Sequence, residues 1–126
     1  MNVTTAMSAH SSAASQSLAK ELWISLASLL RSHVAMHSIA EPSGQVRITA
    51  QSDTALELLG ANGKLSILGP DASGIGSTEF RPESGELGDE YSTFFFTEDS
   101  LIHMENSDVS MDIEAVVEHW LRQVQT

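Results

Sequence analysis

Cysteine is absent from all 126 positions of this chain. That excludes disulfides, thiolate metal centres and a cysteine nucleophile. Bases are scarce, with six Lys and Arg against seventeen Asp and Glu, a formal net charge of −11. Such a balance disfavours nucleic acid and anionic membrane as partners and favours encounter with cations or basic proteins. Long apolar runs are missing as well: none nears the roughly 20 residues that cross a bilayer. The N-terminus lacks the basic stretch and apolar stretch of a secretory signal. The expectation is a cytoplasmic, soluble protein that contacts neither nucleic acid nor membrane.

The charge is unevenly placed. Twelve acids and one base, Arg81, fall between Glu79 and Glu118, whereas the rest of the chain balances five acids with five bases. Glu83, Glu86, Asp89, Glu90, Glu98 and Asp99 fall in expected loops and form a candidate acidic surface for a basic protein partner. A one-sided charge of this kind also serves solubility alone.

What is present suffices for one core. Hydrophobic residues make up 41% of the chain, and a domain of this size hides roughly two thirds of the surface its unfolded chain exposes. Residues 1–16 (MNVTTAMSAHSSAASQ) are mostly Ser, Ala and Thr without apolar period, and read as a flexible tail ahead of a single domain over 17–126. Within the tail, Asn2-Val3-Thr4 matches a glycosylation sequon, which carries little meaning without a secretory signal.

The spacing predicts a helix from about Ser17 to Ser38, with Leu18, Leu22, Trp23, Leu26, Leu29, Leu30 and Val34 on one arc. Ile24 is the one bulky apolar residue on its polar side, and Pro42 requires the helix to end before it. Alternation then predicts short strands at Val46–Ala50, Ala55–Gly60, Lys64–Leu68, Gly76–Arg81, Tyr91–Thr97 and Leu101–Glu105. A type I′ turn at Asn62-Gly63 is expected to pair Ala61 with Lys64, and Glu98-Asp99 to close a second hairpin. A final helix spans about Asp112 to Gln125, with Asp112 as N-cap and Met111 stapled to Val116. The order describes an α+β fold: an antiparallel meander of five to six strands flanked by a long N-terminal helix and a C-terminal helix.

Motifs of known chemistry fall short. His33 and His37 stand four apart, a spacing that lets two imidazoles share a metal, but the glutamate of the HExxH motif is missing; at a helix C-terminus, histidine is favoured by the dipole alone. Asp108–Asp112 lacks the glycine and glutamate of a calcium loop, and reads as helix capping. Gly60–Leu65 is too short for a phosphate loop, Gly74-Ile75-Gly76 lacks the third glycine of a dinucleotide fingerprint, and no G-x-S-x-G elbow occurs. The carboxylate pairs Glu98-Asp99 and Asp89-Glu90 lie in expected turns, where solvent keeps both ionised. No metal, cofactor or catalytic set is assigned.

Phe94 and Phe96 are expected on one face of a strand and Phe95 on the other, alongside Tyr91, Thr93 and Thr97; one of the two faces is core. The other suits helix packing, a dimer seam or the cover of a ligand cavity. The sequence therefore supports a small acidic, non-enzymatic interaction or adaptor domain, expected as a homodimer. The alternative is a small-ligand binder whose pocket, between sheet and helices, is lined by Trp23, His33, His37, Phe94 and Phe96.

Overall fold

The computed structural model describes residues 13–40, 46–84, 88–105 and 107–125. Helix α1 (Gln16–Ala40) is followed by strands β1 (Arg47–Gln51), β2 (Ala55–Gly60), β3 (Gly63–Leu68), β4 (Ile75–Pro82), β5 (Glu90–Phe96), β6 (Ile102–Met104) and β7 (Ser110–Met111), and then by helix α2 (Ile113–Gln125). All neighbours pair antiparallel, and the strand order across the sheet is the chain order. Among the described residues, seven strands replace the expected five to six. The addition, Ser110–Met111, is two residues long and too short to show an alternation.

Period-two alternation sorts the sheet into two faces. Leu56, Leu58, Leu65, Ile67, Phe80, Phe94, Phe96, Ile102 and Met104 point inward and are buried. Phe94 meets Phe96 edge-on at 5.9 Å and Trp120 of α2 at 5.7 Å, geometries that suit the ring quadrupoles. Both helices lie on this face. From α2, Val116, Val117, Trp120, Leu121 and Val124 enter the core, each contributing roughly 1.5–3 kcal/mol by leaving water.

The buried stripe of α1 runs through Ala19, Trp23, Leu26, Ala27, Leu30 and Val34. Leu22 and Leu29 pack at its margin and Leu18 is half-buried, so the stripe is rotated from the expected arc. The helix starts inside the expected tail. The Ser15 hydroxyl accepts from the Leu18 amide, Ala14 donates to the Phe96 carbonyl, and Ala13 bridges Thr97. The remaining tail residues, 1–12, lie outside the described residues.

Two strand expectations are corrected. Gly60 pairs with Gly63 and Leu59 with Lys64, so the β2–β3 turn is Ala61-Asn62, and neither has the positive φ of a type I′ turn. The cause is tertiary. Asn62 donates its amide to Val124 O and its side chain to Gln123 O, so the turn satisfies carbonyls at the open end of α2. Gly63, at φ 150°, approaches the Arg81 carbonyl so closely that a Cβ there would lie 2.3 Å from the oxygen. In β1, a register shift between Ile48 and Ala50 turns Ala50 away from Ile48's face, with the Thr49 hydroxyl held 2.7 Å from the Glu57 carboxylate.

The second hairpin matches its expectation more closely. Thr97 receives the turn through Ser100 N, and Ser100 at φ 68° makes it a three-residue loop of Glu98, Asp99 and Ser100. At α2, Asp112 caps as expected, its Oδ1 accepting from Ala115 N at 2.7 Å.

Candidate functional site

The register brings three connections to one end of the sheet. Leu68 lies opposite Ala55 and Ser77, and Ile75 opposite Phe95, so the β1–β2, β3–β4 and β5–β6 turns share that end. The N-terminal half of α1 passes over it. Between the helix and the first two turns lies a cleft of about 860 Å³. Ala19, Trp23, Ile24 and Ala27 form its helical wall with Lys20 and Arg31 at the margins, and Ser52–Thr54 and Gly69–Gly74 form the other wall.

Backbone bonds hold this second wall in place. Gly69 N donates to Thr54 O at 2.7 Å, which ties one turn to the other. Gln16 Nε2 donates to Ala72 O at 2.9 Å, and Trp23 Nε1 donates to Asp53 O at 2.9 Å, which tie both to the helix. Gly69 is required here because a Cβ would stand 2.7 Å from the Trp23 ring. Asp71 fixes its own loop: Oδ1 accepts from the Ser73 hydroxyl at 2.6 Å, the Ser73 amide at 2.8 Å and the Ile75 amide at 3.1 Å. The Ser73 hydroxyl, foremost, and these amides hold the Asp71 carboxyl below the usual range. The loop wall is thus held in place by its own hydrogen bonds.

Chemically, the cleft offers an apolar helical wall with Ile24 55% exposed, and carboxylates around it. Asp53 and Asp71 stand on the loop wall, and Glu98 and Asp99 are exposed on the third turn at the same end. Among the described residues, no group of three or more His, Asp or Glu is placed to hold a metal. No described helix is long and apolar enough to cross a membrane.

The five residues named for a pocket do not come together. Trp23 lines the cleft, whereas Phe94 and Phe96 lie in the core at 1% exposure each. His33 and His37 sit farther along α1, about 15 and 21 Å from Trp23 at 1.5 Å per residue. There Gln125 Nε2 donates to the His37 ring, 2.9 Å from Nδ1. The six named acids are also divided. Glu98 and Asp99 are at the cleft end, while Glu83, Asp89 and Glu90 are at the opposite end, where Asp89 pairs with Arg81 at 3.4 Å. Glu86 lies outside the described residues.

Lys20, Ile24, Arg31, Asp53, Gly69 and Asp71 escaped the sequence reading of the site. One signal for them was visible: Ile24 is out of place on a polar helix side, and it faces the cleft. No protein-family model, curated protein or solved structure matches the chain.

Proposed function

We propose that this chain is a protein-interaction domain whose cleft holds a short partner segment with apolar side chains flanked by Lys or Arg. The observation that carries the reading is the cleft itself: an apolar helical wall at Trp23, Ile24 and Ala27 facing Asp53 and Asp71 on the loop wall, with Lys20 and Arg31 at its margins and Glu98 and Asp99 on the third turn at the same end of the sheet. Apolar side chains that leave water against that wall supply affinity, and the carboxylates select basic flanks and speed encounter.

Selection from a random twelve-residue peptide library tests the proposal directly. Recovered peptides should carry at least two apolar residues next to Lys or Arg, bind less tightly as salt rises, and lose binding to Ile24→Glu. Recovery of the same peptides by Ile24→Glu, or of peptides with no basic residue, would overturn it.

The volume supports a second reading, since small-molecule sites commonly enclose about 300–1,000 Å³. Under it, an uncharged apolar compound would raise the melting temperature, Ile24→Glu would abolish the rise, and no library peptide would be selected.

A further inference from the structure

We propose that the outer face of the sheet is the seam of a homodimer, two copies meeting through Leu68, Ile75 and Phe95. This surface is distinct from the cleft and does not depend on the reading given to it. Both helices lie on the opposite face, and no described element covers this one.

The first observation is an apolar patch continuous across three neighbouring strands. Leu68 on β3 is 54% exposed and Ile75 on β4 is 40% exposed, while Phe95 on β5, half-buried with its ring 5.3 Å from that of His103, pairs directly with Ile75. A soluble chain gains nothing by presenting these together to water, and such patches mark contact surfaces.

The second observation identifies the occupant. Half of the chain's six bases, Arg47, Lys64 and Arg81, point to this face. They stand beside Glu57, Glu79 and Asp89: Lys64 is 3.9 Å from Glu57, and Arg81 is 3.8 Å from Glu79 and 3.4 Å from Asp89, while Glu105, hydrogen-bonded to Thr93, is a fourth carboxylate on the face. Over a chain of net charge −11 this is a near-neutral surface, so two copies can meet here without the repulsion that their remaining surfaces exert. A strongly basic partner finds no such preference, because most of the unbalanced carboxylates lie elsewhere.

Area is the third observation. With strands about 4.8 Å apart and about 3.3 Å per residue, the face is roughly 30 Å by 20 Å, or roughly 1,200 Å² over two copies. That is the lower limit of stable interfaces, so the dimer should be concentration-dependent rather than obligate. A two-fold axis along the strands over β4 sets Ile75 near its counterpart and Leu68 over β5 of the other copy, level with Thr93 and two residues along from Phe95, in the manner of packed sheets.

Sedimentation velocity on the full chain, from about 1 to 500 µM, tests this and should show a monomer passing to a dimer. Salt should tighten the dimer, since it screens the repulsion between acidic copies and leaves the apolar contact intact. Ile75→Glu should weaken association by about tenfold or more, whereas Ile24→Glu should leave it unchanged. Because the chain has no cysteine, single-cysteine variants add an independent readout. A short bis-maleimide should join Ile75→Cys into dimers in much higher yield than Val109→Cys, which is exposed on another part of the surface. A monomer at every concentration, a dimer indifferent to Ile75→Glu, or equal cross-linking at the two positions would each overturn the proposal.

Discussion

The indole of Trp23 donates to the backbone carbonyl of Asp53 at 2.9 Å, joining the middle of α1 to a turn thirty residues away. The ring is 5% exposed and its face rests on Gly69, so one side chain holds the helix to both turns that wall the cleft. Trp23→Phe keeps most of the apolar burial and leaves the Asp53 carbonyl without its donor. A loss of about 1–2 kcal/mol is expected, measured as a lower urea midpoint at unchanged m-value. An unaltered midpoint would show that solvent satisfies the carbonyl as well.

Gly69→Ala tests the same junction from the other side. The added methyl would overlap the Trp23 ring, with ring carbons at 2.7 and 2.8 Å from the new Cβ, so ring or loop must move. A loss of about 1–3 kcal/mol is expected, together with a red shift of the Trp23 emission as the indole gains water. The shift is resolved in a Trp120→Phe background, where Trp23 is the remaining tryptophan.

The core should be more sensitive than either. Phe94→Ala removes a ring that is 1% exposed and packed against Phe96 and Trp120, and should cost about 3–5 kcal/mol in chemical denaturation. Asp112→Ala, which removes the hydrogen bond to Ala115 N, should cost about 0.5–2 kcal/mol. The order of these two effects is itself the check: a cap that outweighs the aromatic cluster would contradict the packing described.

The Asp71 loop carries a pH signature. Its folded pKa lies below the ordinary 3.8, so the loop's contribution is complete above that value and is lost as pH falls through the lower folded one. Carboxyl chemical shifts should therefore show Asp71 titrating at a lower pH than ordinary aspartates, with the Ser73 and Ile75 amide resonances moving in step. Asp71→Ala should remove the loop's acceptor, raise exchange at both amides, and weaken any ligand of the cleft at neutral pH.

Much of the architecture could be read without coordinates, because helix and strand periods are local. The α2 stripe, the Asp112 cap and the shared face of Phe94 and Phe96 all follow from spacing a few residues long. The misreadings share one cause. Asn-Gly points to a type I′ turn, but capping of α2 by Asn62 moved the turn back by one residue. An alternating β1 was interrupted at Thr49, which the register skips and whose hydroxyl donates to the Glu57 carboxylate of the next strand. In each case a distant partner outweighed a local preference.

By itself, the amino-acid order determined the class of fold, the extent of both helices, the inward faces of most strands and the acidic excess, since each depends on residue type and short-range period. The site was decided only by the tertiary structure. Trp23, Asp53 and Gly69 meet because antiparallel register stacks alternate turns at one end of the sheet, and because α1 crosses that end. Register and helix crossing are set by packing between residues far apart in the chain, so no local pattern records where they bring side chains together.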